Sequence, residues 1–195
     1  MTEPDGDPAI GPGGGRPVVE VVRGLTDRGR PRTGPFLLAL DGRSSSGKST
    51  LARRVVQSFP RGAVVHTDDL AWWHSRFGWD DLLVTHVIGP LRRGEGVDYR
   101  PPPWEARGRP GSIEVPADAE LVVIEGVGAG RASLAEWVDA VIWVDADPSV
   151  TERRSRERVA AGEIDAEGYE GWMAEELPFL AEDRPWGRAD AMVSS

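Results

Sequence analysis

The sequence predicts an α/β fold: a doubly wound parallel sheet of about five strands, with helices on both faces. Three observations predict it. Short apolar runs recur at Phe36–Leu40, Ala63–Val65, Leu121–Ile124 and Ala140–Val144, and the polar residues Asp41, Asp68, Glu125 and Asp145 stand at or just beyond their ends. Such runs suit strands buried on both faces of a parallel sheet. Between them, apolar residues recur at helical spacing. Finally, Gly42-Arg43-Ser44-Ser45-Ser46-Gly47-Lys48-Ser49 reads G-x-x-x-x-G-K-S and stands between the first run and a helical pattern opening at Thr50.

That context, strand then glycine loop then helix, is what a phosphate-binding loop needs. Gly42 and Gly47 let the backbone curl until successive N–H groups converge on one anion. The helix that follows adds the positive end of its dipole. Residues Gly42, Arg43, Ser44, Ser45, Ser46, Gly47, Lys48, Ser49 and Thr50 are therefore the expected nucleotide contacts. Lys48 would reach the β- and γ-phosphates of ATP, and the Ser49 hydroxyl would ligate Mg²⁺.

In chain order, residues 1–16 are rich in Gly and Pro and read as a disordered tail, leaving 17–195 as one domain. Val18, Val21, Val22 and Leu25 predict a short amphipathic helix, although their valines also permit a strand. Leu51, Val55 and Phe59 predict a helix ending at Pro60, and residues 63–67 a second strand. Residues 70–79 read as loop or loose helix. Leu83, Val87 and Leu91 predict a helix that Gly89-Pro90 should break or kink. The stretch 94–117, with Pro101-Pro102-Pro103, Pro110, Pro116 and Trp104, reads as a long irregular insertion on the substrate side. A strand over 121–124, a helix near 133–138 and a strand over 140–144 follow. Next come a charged helix from Pro148, a final helix with Tyr169, Trp172, Met173, Leu177 and Leu180 on one face, and a short last strand within 189–193.

Composition narrows the function. A net charge of −9 over 195 residues argues against a nucleic-acid binder, whose affinity rests on neutralising phosphates. A nucleotide site needs only a local positive patch. No run approaches the ~20 apolar residues of a membrane span. The absence of cysteine excludes disulfides and thiolate chemistry, and with no secretory leader in view it fits a cytoplasmic protein.

Phosphoryl transfer needs a held nucleotide, a metal on its phosphates and an acceptor hydroxyl that can lose its proton. Asp68 is the natural base. Asp69 reads as a second ligand or a solvated turn residue. Glu125 reads as a carboxylate acting on Mg²⁺ or as a helix cap. Arg153, Arg154, Arg156 and Arg158 form either a solvated face or a lid over the γ-phosphate; Arg153 and Arg156, one turn apart, can face one ligand. The three histidines have no metal spacing: His66 reads as structural, His74 and His86 as surface or cleft-edge residues.

The phosphate loop, Thr67-Asp68-Asp69, Val123-Ile124-Glu125-Gly126 and the Arg-rich segment together resemble the uridine-kinase-like branch of P-loop small-molecule kinases, over about Phe36 to Val193. The resemblance implies a nucleoside- and nucleotide-kinase-like P-loop NTPase core with an Arg-bearing lid helix. It also implies ATP and Mg²⁺ as cofactors, and a nucleoside- or sugar-like small molecule as acceptor. By the same resemblance Asp68 is the catalytic base, Arg153 and Arg156 the lid arginines, and Asp80, or Asp81 beside it, the carboxylate for acceptor hydroxyls. Members that bind pyrimidine nucleosides carry a Tyr-Asp-aromatic triplet in the insertion, then His and Arg. Here those positions read Pro102-Pro103-Trp104, then Arg107 and Arg109. Trp104, Arg107 and Arg109 are thus the expected acceptor contacts, with Asp69, and uridine and cytidine are expected to be poor substrates. The rival readings are a kinase of another hydroxylated metabolite or antibiotic, and a slowly hydrolysing nucleotide-binding regulator. No N/T-K-x-D motif supports a GTPase switch.

Overall fold

The computed structural model describes residues 18–29 and 33–194, so the expected tail over 1–16 lies outside the described residues. In chain order the elements are α1 (Val18–Arg28), β1 (Phe36–Gly42), α2 (Lys48–Gln57), β2 (Gly62–His66), α3 (Thr67–Ala71), α4 (Asp80–Leu83), α5 (Gly89–Arg92) and β3 (Val97–Tyr99). Then follow α6 (Pro102–Ala106), β4 (Ile113–Val115), β5 (Leu121–Glu125), β6 (Ala140–Asp145), α7 (Pro148–Ala160), α8 (Ala166–Asp183) and β7 (Ala191–Ser194). Five strands form one parallel sheet in the order β2-β5-β1-β6-β7, as the apolar runs predict.

Successive side chains of a strand point to opposite faces, so each run supplies two cores. On one face Leu38, Leu40, Val123 and Ile142 pack against Val18 and Val22 of α1 and Leu51 and Val55 of α2. On the other, Leu37, Ala39, Val122 and Ile124 meet Leu70, Trp79, Leu83, Leu91 and Trp104. Burying each large apolar side chain contributes roughly 1.5–3 kcal/mol. The sheet is therefore a rigid platform whose carboxyl edge carries the loops.

Four local expectations need correction. Pro90 distorts its helix, as one half of the expectation had it, but does not break it. The N–H of Gly89 reaches back to the Val84 carbonyl, and a π turn over Val84–Ile88 joins α4 to α5. The wider turn accommodates a proline that has no N–H of its own to give. The 94–117 insertion is ordered: β3 and β4 form an antiparallel hairpin around α6, where Pro102 and Pro103 occupy a first helical turn that needs no N–H donor. The expected helix near 133–138 shrinks to one 3₁₀ turn at Ala132–Leu134. Lastly, β2 stops at His66, and Thr67, Asp68 and Asp69 open α3.

One buried carboxylate ties the edge of the sheet together. Asp41, at the end of β1, accepts N–H bonds from Gly42 at 2.7 Å and from Gly128 and Gly130 at 2.9 Å. Burial pushes its pKa up to about 6, against the pull of those three N–H groups and of Lys48. A raised carboxyl pKa means that the folded chain holds the proton more tightly than the unfolded chain. This group's contribution to stability therefore falls as pH rises from the ordinary carboxylate range through about 6. The stability difference between wild type and Asp41→Asn, from urea unfolding, should accordingly decline between about pH 4 and about pH 7. A difference independent of pH would contradict this environment.

Candidate active site

The register of the sheet brings the site together. Leu40 and His66 both lie beside Glu125, so the ends of β1, β5 and β2 form one row. Beyond β1 the chain closes on itself through the Ser46 N–H and the Arg43 carbonyl at 3.1 Å. It then enters α2 through Gly47, whose φ of 90° is left-handed and favours glycine. The first N–H groups of α2 have no intrahelical acceptor and face the loop with the positive dipole end. Lys48 is buried, and its Nζ donates to the Arg43 carbonyl at 2.8 Å. The loop is thus a curled backbone around one cationic side chain.

The carboxylates stand opposite. Glu125 is buried; it accepts the Ser49 hydroxyl at 3.3 Å and lies 2.6 Å from His66 Nδ1. That hydrogen bond holds His66 above its ordinary pKa, so the histidine read as structural is instead the partner of Glu125. Next to it, a Cβ on Gly126 would come within 1.7 Å of Thr67 Oγ1, so β5 and the start of α3 touch without a side chain between them. The contact sets Asp68 in the first turn of α3. Asp68 keeps an exposed face, yet the groups crowded around it desolvate it enough to raise its pKa, and Lys48 opposes that rise. Ser49 and Glu125 are hard oxygen donors and could hold Mg²⁺. Among the described residues no group of three or more His, Cys, Asp or Glu could hold a metal by itself, so phosphate oxygens and water would complete the shell.

A cavity of about 650 Å³ runs from Ser44, Lys48 and Ser49 past Asp68 and Glu125 to Trp72, Arg76, Tyr169 and Trp172. A second opening adjoins it between α2 and α7, where Arg53, Arg54, Arg154 and Arg158 are among its lining residues. The predicted residues Lys48, Ser49, Asp68 and Glu125 therefore meet in one place.

The lid arginines do not follow the expected register. Arg153 lies 3.7 Å from Glu157, and Arg156 lies 2.5 Å from Glu152, on the outer face of α7. Thr151 and Ser155 are buried and mark the inner face. With 3.6 residues per turn, residues 151, 154, 155 and 158 share that stripe, whereas 153 and 156 fall opposite. Arg154 donates to the Ser45 carbonyl at 3.4 Å, and Ser155 Oγ lies 2.8 Å from Ser45 Oγ. Arg158 lines both openings and pairs with Glu163 at 3.1 Å.

The expected acceptor contacts gather, but behind the cavity rather than along it. Trp104 Nε1 donates to the Asp69 carbonyl at 2.9 Å. Arg109 pairs with the Asp69 carboxylate at 2.5 Å and stacks 3.5 Å from the Trp104 ring centre. Arg107 lies 4.0 Å over Trp73. This cluster braces the segment that carries Trp72 into the cavity. Asp80 accepts the Ser133 hydroxyl at 2.7 Å and lies 3.7 Å from Arg131, and neither it nor Asp81 lines the cavity.

Sequence reasoning gave no functional role to Tyr169, Trp172 and Glu176, and it named Arg154 and Arg158 in the Arg cluster but chose Arg153 and Arg156 from it. On α8 the buried stripe carries Glu176, while Leu177, expected inside, is 49% exposed. The signal was there: Trp172, Glu176 and Leu180 follow one another at steps of four.

No protein-family model matches the chain, and no curated protein matches it in sequence. Solved structures do match. A protein described as a "putative fructose transport system kinase" from Silicibacter sp. TM1040 is 21% identical, over 93% of this chain and 100% of its own, with a TM-score of 0.65. A "possible uridine kinase" from Bacillus stearothermophilus is 20% identical, over 89% of this chain and 96% of its own, with a TM-score of 0.57. D-glycerate 3-kinase from Cryptococcus neoformans is 12% identical, over 77% and 79%, with a TM-score of 0.51. The chain shares the fold of these proteins. Within that fold, α7 presents Arg154 and Arg158 to the phosphate loop. Calorimetry with Mg·ATP should show Arg154→Ala and Arg158→Ala weakening binding about tenfold or more, as for lost charge-assisted bonds. Arg153→Ala and Arg156→Ala, which lose only exposed ion pairs, should change it by less than about threefold. The reverse ranking would restore the outer pair as the anion ligands.

Proposed function

We propose that the protein is an ATP- and Mg²⁺-dependent kinase that phosphorylates a hydroxyl of a small molecule, with a nucleoside- or sugar-like acceptor. The observation that carries this reading is the position of Asp68. It is a solvent-accessible carboxylate with a raised pKa, set on the cavity wall between the lysine of the phosphate loop and an aromatic-walled end of the same cavity. A base placed there can take the acceptor's proton as its oxygen attacks the γ-phosphorus and the bond to the β-phosphate oxygen breaks.

The other residues divide the remaining work. Lys48 and the loop N–H groups neutralise the phosphates, and Arg154 and Arg158 add positive charge from α7. Ser49 and Glu125 would hold Mg²⁺, which when bound screens the charge on the transferring group, and His66 fixes the orientation of Glu125. Trp72, Tyr169 and Trp172 supply flat faces for a ring. The proteins of similar structure are described as fructose transport system, uridine and glycerate kinases, so the fold accommodates acceptors well beyond uridine. In this chain Pro102 and Pro103, which open α6, neither line the cavity nor offer a side-chain hydrogen bond, so neither supplies a contact for a pyrimidine edge.

A screen of hydroxylated metabolites for acceptor-stimulated ADP release tests the reading. At least one sugar- or nucleoside-like compound should stimulate release, and Asp68→Asn should abolish that stimulation while Mg·ATP affinity stays nearly unchanged. Uridine and cytidine should fall below about 10⁴ M⁻¹s⁻¹ in kcat/KM, the lower end for ordinary enzymes. ADP release that no acceptor changes would instead support a slowly hydrolysing regulator.

A further inference from the structure

One buried carboxylate at the phosphate loop has no part in the transfer step. Glu176 of α8 is 1% exposed. Its Oε1 accepts the backbone N–H of Ser44 at 3.0 Å. Its Oε2 accepts both the Ser44 hydroxyl and the indole N–H of Trp172, each at 2.5 Å. All three partners are neutral donors, so hydrogen bonds alone offset the cost of burying this group. Ser44 is the third residue of the G-x-x-x-x-G-K-S loop. Trp172 lines the cavity at its aromatic end, beside Tyr169, and packs 5.3 Å from the Phe77 ring. A continuous hydrogen-bonded chain therefore runs from an indole at the acceptor end, through Glu176, to the backbone of the nucleotide loop.

We propose that Glu176 is a positioning residue that couples occupancy of the acceptor end to the geometry of the phosphate-binding loop. The inference rests on the kinase reading above and deepens it. Two donors share Oε2, so a shift of the Trp172 indole changes how firmly the carboxylate holds Ser44, and a shift of Ser44 acts on the indole. Ser45 next to it is held by Ser155 and Arg154, so α7 and α8 together clasp the loop at two consecutive residues. Such coupling is reciprocal: a ligand that stacks on Trp172 alters nucleotide affinity by the same factor by which nucleotide alters its own.

The test needs no knowledge of the acceptor. Mg·ADP is the probe, its binding is followed by calorimetry, and the Trp172 part of the fluorescence is isolated by comparing each protein with its Trp172→Phe counterpart. Glu176→Gln is nearly isosteric but leaves one oxygen for three donors and turns an amide N–H group toward one of them. Wild type should bind Mg·ADP with a change in Trp172 emission. Glu176→Gln should still bind, within about tenfold in affinity, with that change reduced by at least half. Ser44→Ala, which removes only the hydroxyl donor, should reduce it too. A Trp172 response in Glu176→Gln and Ser44→Ala equal to wild type overturns the coupling, as does a wild type that binds Mg·ADP without any response. A wild type that binds no Mg·ADP overturns the kinase reading together with the coupling.

Discussion

The structure depends on how closely the backbones approach at the carboxyl edge of the sheet. A Cβ on Gly42 would stand 2.7 Å from the Val144 carbonyl, and one on Gly126 would collide with Thr67. These contacts let β6 support the phosphate loop from one side and β5 carry Glu125 against α3 on the other. Asp41 supplies the polar half of the same seam by binding the N–H groups of Gly42, Gly128 and Gly130. The arrangement has a physical cost, because a carboxylate is buried to satisfy backbone donors. It yields a loop whose shape is fixed before any anion arrives, which is the condition for electrostatic preorganisation.

Charge is distributed to match. The chain carries a net charge of −9, yet Lys48, Arg53, Arg54, Arg154 and Arg158 surround the loop and the opening beside it. The outward arginines of α7 are instead paired with acids on their own helix and contribute little field in that direction. A basic recess on a chain that is acidic overall directs polyanions to the recess rather than to the protein at large.

The fold and the core of the site were legible in the sequence because they rest on local rules. Apolar runs define strands whatever their neighbours, and the G-x-x-x-x-G-K-S spacing defines its own backbone. The miss at Arg153 and Arg156 arose one level higher. Spacing shows which residues share a face of α7, but the inner face was marked only by Thr151 and Ser155, two small polar residues without a hydrophobic signature. The insertion misled for a related reason: a proline triplet excludes a helix interior but not a helix start, and α6 begins on it. Glu176 was hidden by its chemical type, since a glutamate among apolar residues reads as surface until its three donors are seen.

Everything functional in this account passes through one cation at the loop. Steady-state phosphoryl transfer by Lys48→Ala, alongside thermal unfolding of the same protein, tests it most directly. The account predicts a loss of at least ~100-fold in transfer, as expected when a preorganised charge on the transferring group is removed, with unfolding close to wild type. Near-wild-type turnover in a folded Lys48→Ala protein would contradict it.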